Sequence, residues 1–477
     1  MKKLLYILQA VGFAAILLLG GCKKFLTIPL PLDRLSGSDA YSTDQTTSSV
    51  LNTIYVRIEP LVSGKVTPQS SFLGLGYSAG LYTDELQTIS NTDPGSKIWY
   101  GDQLVGTYGG VYWSNFYPQV YNANTTIEAM RSSTLPFRNQ WLGEALFCRA
   151  LLYYYLVNMY GDVPLATSSD YTVNRTLSRT PKATVYQQIV NDLKEAQGLL
   201  VNDYLDYNGD KTTDRARPNR MAATALLARV YLYLGDYANA GAQASVVLGS
   251  TTYKLETPAK TFLWTSQENI WGILPPATLS YVVGDTRSYY IDPAASVVTS
   301  VFVSLSPLLV NSFEPGDLRL SNWTGSATIT YSGSPVTYYY AYKYKTTSAS
   351  AYTETLTLLR LAEQYLIRAE ARARQNNLTG AAEDVNAVRA RAGLPVTTAA
   401  TQADLLAAIA MERYHELFTE QGHRFFDLKR TGAVDAVMAT VAPQKGATWS
   451  GFMQYWPIPV GETQTNLNLT QTPGYSQ

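Results

Sequence analysis

Apolar residues recur at helical spacing through most of this chain and give way to alternating or irregular patterns in one long block. "GEALFCRALLYYYLVNMYGD" (143–162) is apolar nearly all round, which predicts a buried helix. It should end at Gly161, with Pro164 just beyond as a stop. "TVYQQIVNDLKEAQGLL" (184–200) sets Val185, Ile189, Leu193 and Ala196 on one stripe, with Thr184 as the expected cap. Segments 219–248 and 355–394 each read as helix, turn, helix, turning at Gly235 and near Asn376–Asn377. The two align with each other: Ala228 falls on Ala369, Tyr237 on Leu378 and Ala240 on Ala381. Small residues at those places let antiparallel helices approach closely.

Paired helices with small contact residues resemble tetratricopeptide units, although a long block separates these two. Helical patterns also cover 113–131 and 402–429. The expected fold is therefore mainly α: about four helix pairs in a curved scaffold, with a loop-rich, partly β face. The scaffold is assigned mainly to 40–60, 113–250 and 355–430, and the loop-rich insert to 251–354. Within the insert, 327–331 and 335–344 alternate like strands. Regions 60–112 and 432–477 look similarly irregular. Loops on a rigid frame commonly carry binding residues.

The first residues follow a different rule. Lys2 and Lys3 precede the apolar run Leu4–Leu19, and Gly20 and Gly21 lead into Cys22. A basic start, a short apolar core and small residues describe a secretory leader, here residues 1–21. Leu19-Gly20-Gly21-Cys22 moreover looks like a lipobox, in which Cys22 would be lipidated and become the mature N-terminus. Such an anchor tethers a soluble body to a membrane, each buried CH₂ adding about 0.8 kcal/mol. Cys148 would then be the one remaining thiol, so no intrachain disulfide could form and packing must supply the stability.

Bulk charge excludes some partners. Lys plus Arg and Asp plus Glu both number 37, so nothing attracts nucleic acid or an anionic membrane. Tyrosine stands out, at 36 against 13 Phe, and its apolar face with a polar tip suits half-wet binding surfaces.

Candidate chemistry is sparse. "GYSAG" (76–80) matches the nucleophile-elbow pattern around Ser78, which would make a lipid-anchored hydrolase. The elbow needs a strand before it, a helix after it and a histidine partner. The surrounding pattern lacks that alternation, and the two histidines, His415 and His423, sit in a helical segment. In "MERYHELFTEQGHRFFDLKR" (411–430) the spacing is wrong for a zinc site, because Thr419 stands where a histidine is required. Glu412, Glu416 and Glu420 lie four apart, with Arg389, Arg391, Arg413, Arg424, Lys429 and Arg430 near in sequence. A structural ion network is expected, with Glu416 touching an arginine. Asp84 in "TDEL" (83–86) is read as stabilising a turn. Trp113, Trp141, Trp264 and Trp271 sit in regular patterns and belong to the expected core. Trp99, Tyr100, Tyr289, Tyr290, Trp323 and Tyr338 to Tyr340 lie in irregular parts and could form a stacking platform for the C–H face of a sugar.

In order along the chain, "CKKFL", "YTDEL", "WSNFYPQVYNANTTI", "GEALFCRALLYYYLVNMYGDVPL", "ALLARVYLYLGDYANA", "FEPGDLR", "LRLAEQYLIRAEARAR", "VNAVRARAGL", "MERYHELFTEQGHRFFDLKR" and "YWPIPVGE" resemble the SusD/RagB family of outer-membrane lipoproteins almost end to end. The resemblance implies one domain over 22–477, without cofactor, metal or catalysis. It implies an outer-membrane lipoprotein on the cell surface, held through Cys22, that captures oligosaccharides or, in some members, peptides. It implies a SusC-like TonB-dependent transporter as partner, with this protein as its lid. The implied ligand residues are Trp99, Tyr289, Tyr290 and Trp323. The sequence departs from the family where Lys23 and Lys24 are followed by Phe25 and Leu26 rather than by the acidic residues linked to surface export. A scaffold that binds only other proteins is the further alternative.

Overall fold

The hairpin Arg220–Leu234 and Tyr237–Leu248 shows how local sequence builds the frame. Asn219 caps the first helix by accepting the Ala222 N–H at 2.9 Å, and Gly235 closes it in the left-handed region at φ 73°. Asp236 then caps the second helix through the Asn239 N–H. The hairpin Leu361–Arg374 and Leu378–Arg391 repeats the device, with Asn376 at φ 63° and Asn377 accepting the Gly380 N–H. The two hairpins pack directly against each other although a long insert separates them in sequence. At that contact a Cβ on Gly241 would lie 3.4 Å from the Ala371 Cβ, so small residues set the close approach.

The computed structural model describes residues 39–58, 72–89, 93–294, 301–331 and 334–476. The leader and Cys22 lie outside the described residues. The helices Asp44–Ile58, Val111–Arg131, Arg138–Tyr160 and Lys182–Leu199 continue the scaffold, each packed on its neighbours. Arg138–Tyr160 is buried from Gln140 onward and ends at Gly161, as its apolar pattern requires. The Lys182–Leu199 helix starts two residues before the expected cap, Thr184, and its actual N-cap, Pro181, makes no side-chain cap. Cys148 is free and buried, and burial pushes its thiol far above the usual range, which leaves it inert.

Several boundaries differ from the sequence reading. Leu356–Arg360 is a buried strand paired antiparallel with Asn269–Ile273, not the start of a helix. Its leucines fit either periodicity, and the remote partner strand decides. The 402–429 pattern breaks into Gln402–Leu417 and His423–Arg430. Between them Thr419, Gln421 and Gly422 take φ of 59°, 42° and 76°. The regions read as irregular hold further helices, notably Phe72–Tyr82 and Val434–Gln444. In the insert, Thr324–Tyr331 pairs with Ser334–Ala341 as a hairpin, close to the two expected strands.

A buried ion network ties the insert to the scaffold. Glu416, at the end of the Gln402–Leu417 helix, meets Arg360, Arg391 and Arg319. Glu420, beyond the helix end, pairs with Arg360 at 2.8 Å and Lys343 at 2.5 Å. Glu268 receives Arg360 and Arg391 at 3.0 and 3.1 Å. Arg319 also binds Asp317 and Glu412, and Arg389 reaches Glu314. The three arginines hold the Glu416 carboxyl well below the usual carboxylate range despite its burial. The expected partner of Glu416 is thus present three times over. Two neighbouring carboxyls behave oppositely. Burial, chiefly, pushes Glu85 and Asp285 up to about 8, while Lys343 beside them is pushed down to about 8.

Removing Arg360 takes away a buried cation that Glu268, Glu416 and Glu420 all contact. Arg360→Met should lower unfolding free energy by about 3–5 kcal/mol, measured by urea denaturation. The protons held by Glu85 and Asp285 bind more tightly in the folded than the unfolded chain. Their contribution is therefore complete below the ordinary carboxylate range and is lost as pH rises toward about 8. His415, pushed down to about 4 from 6.5, acts in the opposite sense, but its effect is complete by pH 6.5. The share of stability that Glu85 and Asp285 contribute should accordingly fall between pH 6.5 and 8. The double variant Glu85→Gln/Asp285→Asn should flatten that slope in urea midpoints measured across the window.

Candidate functional site

The insert hairpin presents alternate residues to opposite faces. One face buries Ala327, Ile329 and Tyr340 with Ile89, Ile291 and Val301, forming a small core apart from the main one. Tyr340 lies across Gly325, its cross-strand partner, where a Cβ would come within 2.3 Å of the ring. Half-buried Tyr290, Tyr338 and Tyr342 pack over this core. Tyr290 and Tyr342 stack with centroids 5.9 Å apart at 27°. Each meets Tyr340 edge-on, at 5.5 and 5.6 Å. Lys345 sits with its ammonium 5.6 Å from the Tyr342 ring centre. Burial raises the Tyr290 hydroxyl and pushes Tyr340 up to about 12, so both stay neutral and able to donate at physiological pH. The result is a surface of neutral tyrosine rings edged with hydroxyls, set between the end of the Gly284–Tyr289 helix and the hairpin, with Lys345 at one side.

Of the four residues expected to touch ligand, only Tyr290 belongs to this surface. Trp99 is fully buried, 4.7 Å centroid to centroid from Trp456, with Tyr82 and Tyr112 closing around it. Asp93 caps its short helix by accepting the Ser96 N–H, and the turn so fixed aims the indole inward. Trp323 is also fully buried; its Nε1 donates to the Pro258 carbonyl at 2.7 Å, and Lys343 and Arg391 lie against its ring. It is the aromatic side of the ion network. Tyr289 points into the core toward Tyr77 and is 2% exposed. These three rings have no free face for a sugar, which corrects their expected role. Trp113, Trp141 and Trp271 are core as read, and Trp264 is half-buried. Tyr342 was missed. Strand alternation carries the signal for it, since 338, 340 and 342 share one side while Tyr339, 42% exposed, takes the other.

The catalytic alternative fails on geometry. Ser78 lies inside the Phe72–Tyr82 helix, fully buried, and accepts a hydrogen bond from the Tyr112 hydroxyl at 2.9 Å. A nucleophile elbow requires a sharp strand-to-helix turn and an exposed hydroxyl. The glycines of the motif have packing roles instead. A Cβ on Gly76 would fall 2.0 Å from the Thr419 carbonyl, and one on Gly80 2.9 Å from Leu86. His415 is engaged with Ser312 at 2.9 Å and stacks on Phe313. Asp84 does lie in a turn, but its carboxylate spans to Arg424 at 2.7 and 3.0 Å. Among the described residues no group of three or more His, Cys, Asp or Glu side chains is placed to hold a metal ion.

Comparison with known proteins agrees with this architecture. Residues 167–475 match the profile described as the SusD family, and residues 32–232 match one described as starch-binding associating with outer membrane. SusD-like protein P38 of Formosa agariphila is 23% identical over 418 residues, covering 76% of this chain and 79% of that protein. SusD-like protein P2 of the same organism is 34% identical over 145 residues, which is 29% of this chain and 27% of that protein. A laminarin-binding SusD-like protein superposes with a TM-score of 0.72 at 26% identity, covering 91% of this chain and all (100%) of that one. Two profiles that together span residues 32–475, on a scaffold of helical hairpins carrying a loop-rich insert, mean that this chain belongs to the SusD family.

Proposed function

We propose that the protein is a non-enzymatic outer-membrane lipoprotein that binds neutral oligosaccharides on the Tyr290–Tyr342 surface. In this reading it delivers them to a SusC-like TonB-dependent transporter, over which it acts as a lid. The lipid on Cys22 holds it beside that partner, on the outer face of the membrane. The observation that carries the binding assignment is the stacked, half-buried pair formed by Tyr290, at the end of the Gly284–Tyr289 helix, and Tyr342, just past the hairpin strand, both packed on the small core.

Recognition would run through the ring faces. A pyranose offers an apolar C–H face and a rim of hydroxyls. A neutral tyrosine ring covers the first, and neighbouring hydroxyls satisfy the second. The family profile described as starch-binding and the laminarin-binding structural relative support a glycan over a peptide. A peptide site would have to satisfy many backbone groups, and an aromatic face supplies few partners for them.

Binding is checked by calorimetry and affinity gels with laminarin, starch, xylan and mannan. Replacing both Tyr290 and Tyr342 with Ala should weaken binding about tenfold or more, since each ring contact contributes about 0.5–1.5 kcal/mol beyond area. Unchanged affinity for every bound glycan would reject the site. Cys22→Ser should move the full-length protein out of the outer-membrane fraction. Retention there in the variant would remove the anchor assignment.

A further inference from the structure

A cleft of about 390 Å³ opens between the Asp44–Ile58 helix and the hairpin formed by Tyr204–Leu205 and Lys211–Thr212. It shares no residue with the Tyr290–Tyr342 surface. Its volume falls within the range of ligand pockets, about 300–1,000 Å³. The floor is apolar, from Leu205, Ala216, Ile273 and Pro276. Two tyrosines among its lining residues stay in solvent, Tyr207 at 52% and Tyr352 at 39% exposed. Large rings left that open on an apolar cleft are not core packing.

The backbone that carries Tyr207 and the ring of Tyr352 are held in place. Asp206 accepts the N–H groups of Asn208 and Asp210 at 2.8 and 3.0 Å, and its own N–H donates to the Asp210 carbonyl. Ser48 donates its hydroxyl to the Tyr207 carbonyl at 2.9 Å, fastening the loop tip to the scaffold helix. Gly209, at φ 87°, lies against the Phe137 ring, which completes the tight turn. Tyr352 is buttressed edge-on by Tyr281 at 5.1 Å, and its hydroxyl is raised by burial, Tyr281 and Asp214 in that order. A braced loop and a buttressed ring lose less freedom than mobile ones when a ligand arrives.

The polar lining selects the ligand. Arg217 is spent within the protein: it binds Glu144 and the Asn52 Oδ1 at 2.6 Å each and the Ser48 carbonyl at 3.3 Å. With its oxygen engaged, Asn52 has its amide N–H groups left to donate. The carboxylates of Asp206 and Asp214 line the cleft, and neither forms an ion pair among the described residues. Carboxylates accept from sugar hydroxyls and repel sulfate or uronate groups.

We infer that this cleft is a second, independent binding site for neutral oligosaccharides, gripping a pyranose between Tyr207 and Tyr352 with Asp214 and Asn52 on its hydroxyls. The inference extends the glycan reading above. A polysaccharide long enough to reach both sites gains affinity without any new contact.

The test is titration calorimetry of the full soluble chain with laminarihexaose, maltohexaose, xylohexaose and mannohexaose, followed by laminarin, starch, xylan and mannan as polymers. The expected result is two sites per chain for a bound hexaose, falling to one in Tyr207→Ala/Tyr352→Ala and to the other one in Tyr290→Ala/Tyr342→Ala. The cleft variant should also bind the matching polymer about tenfold or more weakly. Asp214→Asn, which keeps the shape, should weaken the cleft site several-fold. A single site that Tyr290→Ala/Tyr342→Ala abolishes and the cleft variants leave intact would overturn this inference and keep the first reading. A single site that only the cleft variants abolish would uphold the cleft and reject the Tyr290 surface. No heat with any of the sugars would overturn both.

Discussion

The carboxylate of Glu416 sits where three arginines from three different elements converge, and the placement of the insert depends on it. Arg360 comes from a strand, Arg319 from a short helix in the insert and Arg391 from the end of a scaffold helix. None of these charges can be left alone in the interior, because an unpaired buried ion costs several kcal/mol. The network is therefore a geometric condition as much as an attraction. It is satisfied only when the insert, the second hairpin and the helix break at 418–422 are all in their places. Trp323 and Phe418 line the network with aromatic faces, and Lys343 lies 4.0 Å from the Phe418 ring centre.

The frame so fixed explains why tyrosine rather than tryptophan carries the candidate surface. An indole has more apolar area to hide and is drawn into the core wherever neighbours can close around it. Trp99, Trp141, Trp271, Trp323 and Trp456 are all fully buried. Tyrosine keeps a hydroxyl that gains from water, so it is stable at the edge of a core. Tyr290 and Tyr289 show the division at one peptide bond: the helix end turns one ring into the core and leaves the other at the surface. The proposed roles of the Tyr290–Tyr342 stack and the Tyr207–Tyr352 cleft both rest on that property. Each combines an apolar face with hydrogen-bonding groups that water had been satisfying.

The sequence by itself determined the hairpins, because their signals are local. Asn219, Gly235, Asp236 and Asn377 act on the backbone groups beside them, and the small residues recur at the helical period. It also determined that Glu416 needs a cation, since a carboxylate stripe at helical spacing cannot be buried bare. Tertiary structure alone decided which arginines answer, that 356–360 is a strand, and which aromatic rings stay outside. Trp99 is enclosed by Trp456, and Leu356–Arg360 is held by Asn269–Ile273. Burial and strand pairing depend on partners far away along the chain, whereas caps, turns and periodicity are written within a few residues.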